Sequence, residues 1–230
     1  MMMMRFVSNR LLAKRCSSMV QPLSSKPHLP LKDVMVVTLE QAVAAPYLTS
    51  RLSDAGARVV KVEREPDGDF ARYYDRFAGN EMSSYFVWLN RGKESVQLDL
   101  RRDEDASLLK NLIGEADVFV QNLKPSSAQR LGFGSETLRD EFPRLITVDI
   151  SGYGTSSENF KHRKAYDLLV QAESGLCTAS GVDGKATRVG VSVCDIACGT
   201  SHIMCVCILC FFVHLEHIPQ YRNVCTLCST

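Results

Sequence analysis

The sequence predicts an α/β protein in which a parallel sheet is covered by helices, and three observations carry that prediction. Short runs of Val, Ile and Leu recur along the chain, separated by longer segments with the spacing of amphipathic helices. The runs are apolar enough to be strands buried on both faces, as the strands of parallel sheets are. The 230 residues, 45% of them apolar, can bury a sizeable core in one or two domains.

Taken in order, Val34-Met-Val-Val-Thr38 reads as a strand and Ala44 to Ala55 as a helix, with Pro46 near its start and Gly56 after its end. Arg58-Val-Val-Lys-Val62 is the next strand and completes a βαβ unit with a right-handed crossover. Ser95–Leu100, Asp117–Gln121 and Leu145–Asp149 are further strands, and Asp103 to Ile113 has helical spacing. Ligands of open parallel sheets bind beyond the carboxyl ends of the strands. The residues there are Glu63-Arg64, Arg101-Arg102, Asn122-Leu123-Lys124 and Gly152-Tyr-Gly154. Arg and Lys at such places suit the phosphates of a nucleotide-containing ligand, and a solvated rim is the plain alternative. There is no Gly-x-Gly-x-x-Gly after the first strand and no Walker sequence, so dinucleotide and triphosphate binding lack their usual warrant.

The 27 basic and 26 acidic side chains nearly cancel, which leaves no overall field to recruit nucleic acid or an acidic membrane. Residues 1–30 differ from the rest. Arg5, Arg10, Lys14, Arg15 and Lys26 lie among serines and apolar residues, and no acid appears before Asp33. That composition reads as a mitochondrial transit peptide and places the protein in the matrix, with a disordered basic leader as the alternative. The nine cysteines cluster late in the chain, unlike the framework of a small secreted protein, and a reducing compartment fits them better.

Several blocks resemble the family III CoA-transferases, the formyl-CoA and carnitine CoA-transferase group. They are Leu31 to Pro46, Asp54-Ala-Gly-Ala-Arg-Val-Val-Lys-Val-Glu63, Asn90 to Leu100, Asp117 to Asn122, Arg130-Leu-Gly-Phe133, Lys164 to Leu176 and Arg188 to Gly199. The resemblance implies a Rossmann-like large domain over residues 31–200 that holds coenzyme A as a substrate, with no tightly bound cofactor and no metal. Carried over by position, it implies coenzyme A contacts at Val43, Ala44, Arg64, Leu98, Asp99, Leu100, Arg101, Asn122, Leu123, Lys124, Arg130, Lys164, Ala165, Tyr166 and Asp167. It also implies a homodimer for full-length members.

Asp195 is the catalytic candidate the resemblance identifies. A carboxylate that attacks a thioester forms an anhydride about as reactive as the thioester itself, so the acyl group is passed on without ATP. Asp195 lies where Gly190-Val-Ser-Val-Cys approaches a helix start, and the helix dipole there is expected to favour the ionised form; capping that helix is the plain alternative. Related α-methylacyl-CoA racemases pair the Asp with a His where this chain has Tyr166. A phenol with a pKa near ~10 is poorly matched to proton shuttling, which favours transfer over racemisation. Tyr166 also reads as a buried aromatic, Asp167 as a substrate-orienting group or a solvated one, and His162 as an exposed loop residue. Arg163 to Asp167 with Val189 to Asp195 resembles members that move CoA from succinyl-CoA to dicarboxylates such as glutarate, itaconate, mesaconate or citramalate.

After Thr200 the resemblance stops, and residues 201–230 read as a divergent Cys-rich tail. The small domain and the glycine-rich loop of the family are not recognisable there. The expectation is a truncated chain with little or no transferase activity, one that at most binds coenzyme A or a full-length subunit and that exposes apolar surface. Ile203 to Val213 is too short to cross a bilayer. Cys207-Ile-Leu-Cys210 and Cys225-Thr-Leu-Cys228 have a spacing close to that of a zinc ribbon but lack its glycines.

Overall fold

The computed structural model describes residues 29–124, 126–154, 159, 163–214 and 223–224. The leader up to position 28, His162, Cys225 and Cys228 lie outside the described residues. The elements in chain order are β1 (Met35–Leu39), α1 (Ala44–Asp54), β2 (Arg58–Arg64), a 3-10 turn (Phe70–Tyr73), α2 (Ser84–Asn90), β3 (Glu94–Leu98), α3 (Asp103–Gly114) and β4 (Val118–Gln121). They continue with α4 (Ser127–Arg130), α5 (Ser135–Glu141), β5 (Ile146–Asp149), α6 (Asp167–Glu173), α7 (Leu176–Ala179), α8 (Val193–His214) and the two-residue β6 (Asn223–Val224).

The sheet runs β3-β2-β1-β4-β5-β6, and every neighbouring pair is parallel. This is the doubly wound order, with its switch point between β1 and β4. Alternation within each strand sends neighbours to opposite faces. Val36, Val59, Val118, Val120, Ile146 and Val148 pack with α1 and α8 through Leu48, Leu52, Val206 and Cys210. On the other face Val37, Val60, Val62 and Phe119 pack with α3 and α5 through Leu109, Ile113 and Leu138.

Two boundaries differ from the sequence reading. The strand expected to reach Leu100 ends at Leu98. Asp99 there enters a turn, its N–H donating to Asp105 at 2.9 Å and its carbonyl accepting from Arg102 at 2.9 Å. The helix containing Asp195 runs on through Thr200 to His214 as 22 residues. Its Val193–Phe211 stretch of 19 residues is long and apolar enough to cross a bilayer by length and composition, where the Ile203–Val213 run alone is not. Val206 and Cys210 of the same helix are buried against α1 and the sheet, the packing of a core helix. Met204, Ile208 and Phe211 face outward and are more than half exposed.

Helices α1 and α8 meet at Gly199. A Cβ there would lie 2.9 Å from the Ala44 carbonyl oxygen, 2.9 Å from Tyr47 Cδ1 and 3.2 Å from the Leu48 nitrogen. Two of those atoms are backbone, so the helices themselves would have to separate. Gly199→Val is expected to lower stability by about 1–3 kcal/mol in a urea titration, the range for overpacking a close contact.

A belt of buried charge runs from the carboxyl end of β1 through β2 to the start of β3. Lys61 donates to Asp69 at 2.6 Å and to Asn90 Oδ1 at 2.8 Å. Lys93 donates to Glu40 at 2.6 Å and to the Pro46 carbonyl at 2.9 Å. Glu40 also accepts from Thr49 at 2.6 Å and Thr38 at 3.0 Å. Glu63 receives a bidentate Arg72 at 2.8 and 2.7 Å and Ser95 at 2.6 Å.

Candidate active site

A cleft of about 120 Å³ opens where the carboxyl ends of β4 and β5 face the starts of α1, α6 and α8. It adjoins the switch point, the place where open parallel sheets bind ligands. Five of the coenzyme A and catalytic candidates implied by the resemblance line it: Ala44, Asn122, Ala165, Tyr166 and Asp195. Ser151, Gly152, Cys194 and Cys198 join them. Gly152 permits the close approach of the 163–166 segment, since a Cβ there would overlap the Cβ of Ala165.

Asp195 is the third residue of α8 and does not cap it. The cap comes from Asp167, whose Oδ1 accepts the N–H of Cys194 at 2.8 Å and of Asp195 at 3.1 Å. Asp167 Oδ2 accepts from Gln171 Nε2 at 2.6 Å, and Gln171 Oε1 accepts the Val189 N–H at 2.8 Å. Gln171 is buried and ties the approach segment 189–191 to α6. Sequence reasoning missed Gln171; the only signal was its place four residues after Asp167 on one helix face.

Burial first, and then the Asp167 charge, push the Asp195 carboxyl up to about 7. The helix start was expected to hold Asp195 ionised; desolvation and a second carboxylate act the other way and dominate. Tyr74 is pushed up to about 12 by burial and then by the charges of Asp69 and Asp195, so its phenol is neutral near the site. Tyr166, a candidate coenzyme A contact for which a buried aromatic was the alternative, lines the cleft and is 61% exposed. Asp167→Ala is expected to fray the first turn of α8 and cost about 1 kcal/mol in a thermal melt. Asp167→Asn keeps the acceptor oxygen, removes the like charge, and lowers the midpoint of Asp195 ionisation followed by NMR.

The other predicted residues take separate places. Val43 is buried directly before α1. Asn122 spends its side chain across the switch point, accepting the Gln41 N–H at 2.9 Å and donating to the Gln41 carbonyl at 2.8 Å. Leu98 is in the core, with Leu100 and Leu123 packed against it. Asp99 holds Arg101 in a bidentate pair at 2.8 Å, and Arg64 pairs with Asp67 at 3.3 Å. Lys124, Arg130 and Lys164 are exposed. Arg64 and the 98–101 turn lie at the carboxyl ends of β2 and β3 and do not line the Asp195 cleft. Among the described residues no group of three or more His, Cys, Asp or Glu is placed to hold a metal ion.

A doubly wound sheet with an acidic side chain in the cleft beside its switch point defines an α/β domain whose candidate site lies where such sheets bind ligands. The chain belongs to CoA-transferase family III, whose model matches residues 31–216. It is 37% identical over 188 residues to acetyl-CoA:oxalate CoA-transferase of Acetobacter aceti, covering 81% of this chain and 48% of that protein. It is 39% identical over 202 residues to succinyl-CoA:mesaconate CoA-transferase of Haloarcula hispanica, covering 84% of this chain and 50% of that one. The chain thus spans about half the length of the curated relatives it matches. The crystal structure of a CAIB/BAIF family protein from Brucella suis superposes with a TM-score of 0.78 at 29% identity, over 86% of this chain and 52% of that one. The family match runs past Thr200, where the sequence reading ended it, and covers the whole of α8.

Proposed function

We propose that this chain carries the acyl-CoA site of an enzyme that moves CoA from an acyl-CoA, succinyl-CoA, to a dicarboxylate acceptor. The observation that carries the proposal is Asp195, a carboxyl in a cleft beside the switch point with its backbone fixed by Asp167. The dicarboxylates oxalate and mesaconate in the names of the relatives support the acceptor class.

In the proposed reaction the Asp195 carboxylate attacks the thioester carbonyl. The C–S bond breaks, CoA leaves as thiolate, and an acyl-aspartyl anhydride remains. The thiolate then attacks the aspartyl carbonyl, releasing the donor acid and leaving an aspartyl thioester. The acceptor carboxylate displaces the thiolate to form a second anhydride, and the thiolate attacks the acceptor carbonyl to give the new acyl-CoA and restore Asp195. Every step exchanges one activated acyl bond for another. The nucleotide end of CoA is assigned to the edge carrying Arg64, Leu98–Arg101, Lys124 and Arg130. Three strand spacings separate β4 from β3, roughly 14 Å, a distance an extended thioester ligand spans. A matrix location and a homodimer complete the proposal, the first from the basic leader and the second from the exposed Met204, Ile208 and Phe211.

A second reading, coenzyme A binding without turnover, is favoured by that same exposed apolar face. Incubation of the chain with succinyl-CoA and a panel of dicarboxylates, followed by mass spectrometry of the Asp195 peptide, separates the two. A new thioester and an adduct on Asp195 support transfer. Bound coenzyme A with neither supports the second reading, and no bound coenzyme A refutes both.

A further inference from the structure

The loop from β1 to α1 holds a left-handed residue that is not glycine. Ala42 sits at φ +63°, a conformation disfavoured for a residue with a Cβ, and the surroundings must hold it there. Asp69 does so. Its Oδ1 accepts the Ala42 N–H at 3.1 Å and the Ala71 N–H at 2.9 Å, while its Oδ2 accepts from Lys61 at 2.6 Å. Asp69 is fixed in turn by its own N–H, which donates to Glu63 at 2.8 Å. The side chains of the Lys61–Asp69 pair are 1% and 0% exposed, so water does not compete for these bonds.

Two residues after Ala42, α1 starts at Ala44, which lines the cleft with Asp195. Val43 supplies no side-chain cap to α1, so the direction of its first turn is set by the backbone leading into it. The other wall of that approach is held by the Asn122 side chain, which accepts the Gln41 N–H and donates to the Gln41 carbonyl across the switch point. A ligand at the cleft therefore meets a loop in which Asn122 pins Gln41 and a buried carboxylate, 27 residues on in the sequence, holds the strained Ala42 itself.

We propose that Asp69 is a positioning residue for acyl-CoA: it holds Ala42 in the conformation that brings the start of α1 to the Asp195 cleft. The role rests on the acyl-CoA reading above. The test uses Lys61→Met/Asp69→Ala, which leaves no unpaired buried ammonium, and Lys61→Met/Asp69→Asn, which keeps an acceptor oxygen for Ala42. Amide hydrogen exchange is read by NMR and acetyl-CoA affinity by calorimetry.

In the Ala variant the Ala42 amide is expected to exchange about 100-fold faster while Val37 in β1 keeps its protection. Acetyl-CoA affinity is expected to fall about tenfold, the loss of one hydrogen bond that orders the site. The Asn variant is expected to recover both. A merely structural role would speed Val37 together with Ala42 and would give no rescue by Asn, and either result overturns the proposal. A wild type that binds acetyl-CoA with an Ala variant that binds equally well overturns the role of Asp69 alone. A wild type without affinity for either acetyl-CoA or succinyl-CoA overturns the acyl-CoA reading and with it the binding role built on it.

Discussion

Asp195→Asn is expected to abolish the covalent adduct and, above pH 7, to make the fold more stable than the wild type. The native carboxyl titrates at about 7 because burial and Asp167 penalise its charge, whereas in the unfolded chain it titrates near ~3.9. Between those values the folded protein keeps a proton that the unfolded chain has released. Stability therefore falls as pH rises through about 4 to 7 and is level above. Three units at about 1.4 kcal/mol each set a ceiling near 4 kcal/mol, and partial exposure of the group reduces this to about 1–3 kcal/mol. Asn carries no charge and lacks this slope. Melts of the two proteins should nearly coincide at pH 4, apart from the amide substitution itself, and separate fully by pH 8. Parallel curves across that range would show that Asp195 is not desolvated in the folded chain.

The same displaced titration sets the acid limb of the proposed reaction. Only the carboxylate attacks a thioester, so the rate at saturating donor is expected to rise about tenfold per pH unit below 7 and to level above it. In the proposed reaction, the instability that burial confers on Asp195 is the reverse side of the reactivity assigned to it. A poorly solvated carboxylate needs less stripping of water when the thioester arrives, and Asp167 holds its backbone in place meanwhile.

The sheet was legible because its strands are covered on both faces. Val36 and Val37, or Val118, Phe119 and Val120, read as continuous apolar runs since one residue meets α1 and α8 and the next meets α3 and α5. Helix α1 was legible within a residue because Pro46 and Gly56 bracket it. The site was legible only in part. Asp195 stood out as a residue type in a motif, but its surroundings depend on Asp167, which lies 28 residues earlier and reaches it only through the turn of α6 onto α8. No local pattern distinguishes a carboxylate that caps a distant helix from one that faces water. The extent of α8 was hidden as well, since its apolar second half reads as a foreign tail until Val206 and Cys210 are seen packed on α1. The charged belt was least legible. Lys61 reads as an outward position on a strand and Lys93 as a surface residue after a helix, yet each is buried on partners that become neighbours only when β1, β2 and β3 align.

That belt supports the second large prediction. Glu40 is fully enclosed, and although burial disfavours its charge, Lys93 and Lys61 outweigh that effect and hold its pKa below the usual value. Lys93 in turn is pushed down to about 8 by its own burial, with Glu40 opposing. Glu40→Ala removes the shared anion and leaves the Lys93 ammonium in the interior with only the Pro46 carbonyl and Asn90 as partners, while Thr38 loses its acceptor. Breaking one side of a buried ion pair costs about 3–5 kcal/mol, a large share of the 5–15 kcal/mol that holds a domain of ordinary stability. The expected result is a chain mostly unfolded at 37 °C, with a urea midpoint shifted to match. The cost lies in the stranded charge rather than in lost packing. Glu40→Met combined with Lys93→Met should therefore recover most of the stability, because Lys61 still has Asp69 and Asn90. A single variant within about 1 kcal/mol of the wild type would mean that water reaches the belt, and the buried pairs would then count as surface pairs.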